Sequence, residues 1–185
     1  MRRRRLASAL LTGVLLAGCV RTPPVLDAVP DPAGAYILDS GDRLRVVVFG
    51  QEGLSNSYAV DPSGKITMPL IGAVPARGLT TAEVGSSVAA RLRQGYVREP
   101  HVAVEVEGYR PFFVLGEVLL PGQFPYMPNL TAEGAVAIAG GFSPRALRGP
   151  VEMHRPTPDG TSVGTVPLNY PVRPGDTIVV AERWF

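Results

Sequence analysis

The sequence predicts an α+β protein: a small mixed β-sheet domain with one covering helix, followed by a second domain that is again mostly β. Three observations lead there. The 185 residues include 21 glycines and 19 prolines, which implies many turns and short strands. A hydrophobic content of 45% is enough for a core and too high for a disordered chain. A Gly-Asp turn feeding an apolar strand occurs twice, at Gly41-Asp42 and at Gly175-Asp176, which suggests two β units in one chain.

The chain opens with Arg2, Arg3, Arg4 and Arg5, followed by an apolar run over residues 6–16. This is the pattern of a secretory signal over residues 1–18, and the run is too short to span a membrane as a helix. Leu16-Ala17-Gly18-Cys19 resembles the bacterial lipoprotein cleavage box, with small residues before the cut and a thiol to accept lipid. Cys19 is the only cysteine, so no internal disulfide can form. One acyl chain gains about 0.8 kcal/mol per buried CH₂, and a lipoprotein cysteine carrying several chains would be held stably. Residues 19–34 contain Pro23, Pro24, Pro30 and Pro32 without periodicity and read as an extended tether.

The first folded unit is expected over residues 35–108. Gly41 can take a positive φ and Asp42 can cap the turn with its own carboxylate. Leu44, Val46 and Val48 then fall on one face of a strand, with Arg43, Arg45 and Val47 on the other. Residues 57–60 and 65–68 read as a hairpin around Asp61-Pro62-Ser63-Gly64. Thr80-Thr81-Ala82-Glu83 is a capping box, so a helix starts near Thr81, with Val84, Val88 and Leu92 as its apolar stripe and Gly95 as its end. Residues 101–107 alternate, with Val102, Val104 and Val106 inward.

The second unit is expected over residues 109–185. Residues 111–118 read as a strand, and Leu120-Pro121-Gly122-Gln123 as a type II turn. Thr131 caps a short helix that runs to Ala139 and ends at Gly140-Gly141. Residues 151–155 and 163–168 are strands around Pro158-Asp159-Gly160, and Gly175-Asp176 launches the last strand over residues 177–181.

The order Tyr36, Gly41-Asp42, strand, Gly64, Pro69-Leu70-Ile71-Gly72, Gly78-Leu79-Thr80, helix, then Pro100-His101-Val102 resembles the polysaccharide export domain. That domain is found in the outer-membrane lipoprotein family that moves capsule and exopolysaccharide across the envelope. Gly116-Glu117-Val118, Pro121-Gly122, Ala139-Gly140-Gly141 and Pro174-Gly175-Asp176 resemble the soluble-ligand-binding β-grasp domain, so the second unit is expected to be β-grasp-like. Each of these motif residues also has a plain structural reason as a turn or helix end. Arg145 and Arg148 follow the double glycine and could meet an anionic saccharide or a neighbouring subunit; two solvated charges explain them equally well.

The resemblance implies a non-enzymatic conduit: a lipid-anchored homo-oligomeric ring under the outer membrane with its domains in the periplasm. Implied partners are the polysaccharide and an inner-membrane polysaccharide co-polymerase. Val20, rather than aspartate, follows the cysteine, which fits the outer membrane. Long family members carry further β-grasp repeats and a C-terminal amphipathic pore helix. Here Glu182-Arg183-Trp184-Phe185 follows the last strand, and nothing after Thr177 can span a bilayer. The expectation is therefore a short form, a periplasmic ring or adaptor that would need another protein for the outer-membrane pore and for which a separate outer-membrane barrel is one candidate, with Trp184 and Phe185 packed on the domain or on a neighbour.

Other classes fare worse. Setting Arg2–5 aside leaves 14 basic residues against 16 acidic, so no basic excess suggests nucleic acid as a partner. Glu105 and Glu107 share a strand face with His101 and could flank a glycosidic bond, but a solvated sheet face explains them as well. With two histidines, one cysteine given to lipid and no nucleophile motif, neither catalysis, a metal nor a cofactor is expected. The alternative that stays open is a monomeric saccharide-binding envelope lipoprotein.

Overall fold

Two hydrophobic cores lie on either side of a three-residue connection, Tyr109-Arg110-Pro111. The computed structural model describes residues 36–157 and 160–184. The signal, Cys19, the tether, Pro158, Asp159 and Phe185 lie outside the described residues.

In the first unit, β1 (Arg43–Val48) is the middle of a three-stranded antiparallel sheet, flanked by β2 (Asn56–Ala59) and β5 (Val102–Gly108). Its alternation is the one expected: Leu44, Val46 and Val48 are buried, while Arg43 and Arg45 face solvent. Helix α1 (Thr81–Leu92) lays Val84, Val88 and Leu92 into the same core. Its capping box is complete, with Thr80 Oγ1 accepting from Glu83 N at 3.3 Å and Glu83 Oε2 accepting from Thr80 N at 2.7 Å. The helix closes at Leu92, earlier than Gly95. Gly95 instead takes its positive φ inside the turn in which Tyr96 N and Val97 N both donate to Leu92 O.

The pairing around residues 56–75 differs from the expected hairpin. The turn at residues 61–64 forms, with Gly64 N donating to Asp61 O at 2.9 Å, but the strands on its two sides join different sheets. β2 pairs with β1, and β3 (Lys65–Met68) pairs with β4 (Gly72–Pro75). Gly72-Ala73-Val74-Pro75 is short and ends in proline, so it carries weak strand signals of its own. At the tip of the β3–β4 hairpin, Ile71 N donates to Pro69 O at 2.8 Å across a Leu70 held at φ 68°.

The second unit is a five-stranded mixed sheet in the order β7-β6-β10-β8-β9, where β6 is Phe112–Gly116, β7 Gly122–Phe124, β8 Val151–Thr157, β9 Gly160–Val166 and β10 Thr177–Val180. β6 and β10 are parallel and the remaining pairs antiparallel. Helix α2 (Ala132–Ile138), capped by Thr131, buries Ala132, Ala135 and Val136 in a core with Phe112, Val114, Met153 and Ile178. The protein is α+β in both units. The expected type II turn at Pro121-Gly122 does not form: Gly122 is the first residue of β7, pairs with Val114 and has no positive φ. The left-handed glycine is Gly116, at φ 81°. There a Cβ would stand 2.1 Å from Val180 O, so only glycine lets β6 end against β10.

Candidate functional site

The motif residues converge on the connection between the units. Asp42 is fully buried. Its carboxylate accepts from Tyr36 OH at 2.9 Å, from Asp39 N at 2.8 Å and from Arg110 N at 3.0 Å, while Arg110 Nη1 stands 3.5 Å away. Arg110 also donates to Tyr36 OH at 3.1 Å and reaches Asp39 at 3.6 Å. Burial pushes the Tyr36 hydroxyl well above its ordinary pKa; Arg110 opposes the rise, and the Asp42 carboxylate adds to it. Tyr36, Tyr109 and Tyr126 stack edge to face in series, with ring centroids 4.9 and 5.3 Å apart. On the other side, Gly175 N donates to Pro111 O at 2.9 Å, and a Cβ on Gly175 would meet Arg110 Nε at 2.9 Å. Arg110 thus lies between the two Gly-Asp turns.

Asp176 is buried too and is held inside its own unit. Arg155 Nε and Nη2 grip its two oxygens at 3.0 and 2.7 Å, and Arg173 N donates at 2.7 Å. Arg155 further donates to Pro171 O at 2.9 Å and sits 5.4 Å from the centroid of the Tyr170 ring. Neither Arg110 nor Arg155 is recognisable from the turn motifs. Arg155 did carry a signal: it is in phase with the inward Val151 and Met153, and a cation at a core position needs a buried counter-charge. Arg110, in an irregular segment, carried none.

The other motif residues serve as chain reversals. Gly41, Gly64, Gly72, Gly116, Gly140, Gly141 and Gly175 all lie at positive φ. Pro69 opens the β3–β4 tip, and Pro121 directly precedes β7.

Glu105 and Glu107 are exposed on the outer face of the first sheet. Glu105 lies opposite Arg45, and Glu107 accepts from Ser57 Oγ at 2.8 Å. The nearest groove, about 640 Å³ between α1 and the start of β5, is lined by His101, Val102 and Val104 with Phe49 and small helix residues; it includes neither glutamate. The two carboxylates therefore do not line this groove. Among the described residues no three His, Cys, Asp or Glu side chains gather where they could hold a metal.

Arg145 and Arg148 part company. Arg145 Nε donates to Glu182 Oε1 at 2.8 Å, and its backbone N donates to Ser143 Oγ, which in turn donates to Glu117 Oε2 at 2.6 Å. Arg183 N donates to Arg145 O at 2.9 Å and Leu147 N to Ala181 O at 2.8 Å, so the loop and the segment after β10 are tied together. Arg148 is exposed and has no partner among the described residues. Trp184 is 91% exposed, so of its two expected seats, the domain or a neighbour, it does not take the domain. With Arg145, Glu182 and Arg183 it lines a cleft of about 510 Å³.

Comparison with known proteins agrees with the motif order. Residues 30–107 match the family model described as polysaccharide biosynthesis/export protein. The chain is similar to the exopolysaccharide production protein ExoF of Rhizobium meliloti (strain 1021), 37% identical over 122 residues, covering 60% of this chain and 29% of that protein. It is also similar to the polysialic acid transport protein KpsD of Escherichia coli, 26% identical over 111 residues, covering 59% of this chain and 20% of that protein. The chain thus spans less than a third of the length of these curated relatives. The Tyr36–Asp42 turn that anchors the inter-unit contact lies inside the segment of this chain that matches the polysaccharide biosynthesis/export protein model.

Proposed function

We propose that this protein is a non-enzymatic envelope component that forms part of a conduit exporting capsular or extracellular polysaccharide. The observation that carries the reading is the family match over residues 30–107, which includes the first sheet except Gly108, the last residue of β5. The names of the relatives, an exopolysaccharide production protein and a polysialic acid transport protein, agree in substrate class. In this reading residues 1–18 are removed, Cys19 carries the acyl chains, and residues 19–34 tether the units at 35–108 and 109–185 to the inner leaflet of the outer membrane, on the periplasmic side. Subunits then form a closed homo-oligomeric ring through repeated head-to-tail contacts, which only a heterologous interface can supply. An inner-membrane co-polymerase delivers the polymer. Among the described residues no helix is long and apolar enough to cross a membrane.

A monomeric saccharide-binding lipoprotein is the competing reading, and the open cleft at Trp184 favours it. Gene deletion separates export from no role in export. Loss of extracellular polymer, restored by the wild type and poorly by Cys19→Ser, supports export and the anchor; unchanged polymer overturns it. Crosslinking of membrane-extracted protein tests the ring. Monomer alone at every concentration would favour the saccharide-binding lipoprotein.

A further inference from the structure

We propose that the cleft formed by Arg145, Glu182, Arg183 and Trp184 binds an acidic saccharide unit, with Trp184 as its platform. The choice of a saccharide rests on the export reading; the site itself rests on geometry. An indole can bury a large apolar area, so a tryptophan left 91% exposed offers an unused apolar face. One face of a pyranose ring carries mostly C–H groups and can lie flat on that surface, while its rim of hydroxyls needs both donors and acceptors. The Arg145–Glu182 pair supplies both at once, and it is held in place. Ala146 and Glu182 form a β-bridge, Arg183 N bonds Arg145 O, and Ser143 links the Arg145 backbone to Glu117. The cleft volume of about 510 Å³ falls within the range of roughly 300–1,000 Å³ usual for small-molecule sites.

Charge selects the kind of sugar. Glu182 is engaged with Arg145, and Glu117 is turned to Ser143. Arg183 lines the cleft and Arg148 stands exposed on the adjoining loop, and neither side chain has a partner among the described residues. A guanidinium fork matches a carboxylate in two parallel hydrogen bonds, so a uronate-type carboxylate fits Arg183 with Arg148 as a second cation. A neutral sugar would use the platform and leave both cations idle.

Trp184 is the only tryptophan in the chain, so emission excited selectively at tryptophan, beyond the absorption of the tyrosines, reports on this cleft alone. The test is to titrate the full chain with an oligogalacturonate, a malto-oligosaccharide of equal length and sodium sulfate, at matched ionic strength. A saturable emission change is expected with the oligogalacturonate and at least tenfold weaker binding with the other two. Arg183→Gln should weaken the acidic ligand about tenfold, and Trp184→Phe, followed by calorimetry, should weaken it further; far-UV circular dichroism checks that both fold. No emission change, or equal response to sulfate or to the neutral oligomer, overturns the proposal. If polymer export is lost on gene deletion while the titration stays flat, the cleft assignment fails alone. If the titration saturates while export is unaffected, the export reading fails alone.

Discussion

The two Gly-Asp turns build the same local geometry. Asp42 Oδ2 accepts the N–H of Asp39 at 2.8 Å, and Asp176 Oδ2 accepts the N–H of Arg173 at 2.7 Å, each reaching back three residues. Both carboxylates are 0% exposed, so both turns face the same problem: a buried anion needs compensation that four residues cannot provide. They solve it differently. Asp176 is gripped at both oxygens by a single cation from β8 of its own unit. Asp42 is satisfied mainly by neutral donors, Tyr36 OH and two backbone N–H groups, with Arg110 at 3.5 Å shared among Asp42, Asp39 and Tyr36. One turn anchors a core; the other ties two units together. A repeated motif fixes the turn, and the compensating residue decides what the turn is for.

The largest effect should come from Arg155→Ala. It leaves Asp176 buried without its cation, which costs about 3–5 kcal/mol. Replacing both Arg155 and Asp176 by apolar residues of similar volume should restore part of that loss. Urea unfolding of the second unit's core, followed by Tyr170 environment, measures both. If Arg155→Ala costs less than Tyr36→Phe, the ranking of the two turns is reversed.

Tyr36→Phe should cost about 1.5–3 kcal/mol at neutral pH, because it removes a charge-assisted donor from a buried carboxylate. Its pH signature is distinctive. Burial raises the Tyr36 hydroxyl above its unfolded value near 10, so the folded state resists deprotonation. The stability from the neutral hydroxyl is complete below about pH 10 and is lost as pH rises through the higher folded value. In Tyr36→Phe that share of the alkaline loss disappears; Tyr58, also raised by burial, keeps its own share. Urea midpoints compared between pH 7 and 11 would show wild type and variant converging at the alkaline end; parallel curves would rule the hydroxyl out.

Local rules made much of the fold readable. Alternation placed Leu44, Val46 and Val48 in the core, and the Thr80–Glu83 box set the start of α1. What escaped was non-local. Whether residues 65–68 pair backward with β2 or forward with Gly72–Pro75 depends on which sheet edge is free, which no window of sequence contains. Pro121-Gly122 satisfied turn statistics, yet the reversal after β6 is set by how closely Gly116 approaches Val180 O. The site was legible as two turns and two arginines. Its working parts, Arg110 between the turns and the Glu182 that captures Arg145, come from 68 and 37 residues away.

Alanine at the two turn glycines sharpens the comparison at a smaller scale. Gly41 and Gly175 sit at φ 93° and 88°, so each substitution costs about 1–2 kcal/mol from the left-handed backbone alone. The environments differ. A Cβ on Gly41 would be 3.5 Å from Arg110 Cβ, ordinary contact, whereas on Gly175 it would press on Arg110 Nε at 2.9 Å. Gly175→Ala should therefore add a shift in the inter-unit contact that Gly41→Ala lacks, seen as chemical-shift changes at Tyr36 and Tyr109. Equal changes in both variants would mean that Arg110 does not sense the second turn.

Arg110→Met should have the smallest effect on stability and the most specific one on architecture. The backbone N–H of residue 110 stays in place and keeps its 3.0 Å bond to Asp42, and Tyr36 OH and Asp39 N still satisfy the carboxylate. The side chain contributes two long ion pairs, to Asp42 at 3.5 Å and to Asp39 at 3.6 Å, and a hydrogen bond to Tyr36, so about 1 kcal/mol is at stake. The same side chain is also what spans from the first turn to Gly175, across a connection of three residues. Its loss should loosen the seat of one unit on the other while each core stays folded. Limited chymotryptic cleavage after Tyr109 should then accelerate several-fold in Arg110→Met, and Arg155→Ala should instead expose sites within the second unit. Unchanged cleavage in Arg110→Met would mean that the stacked Tyr36, Tyr109 and Tyr126 rings hold the units together without it.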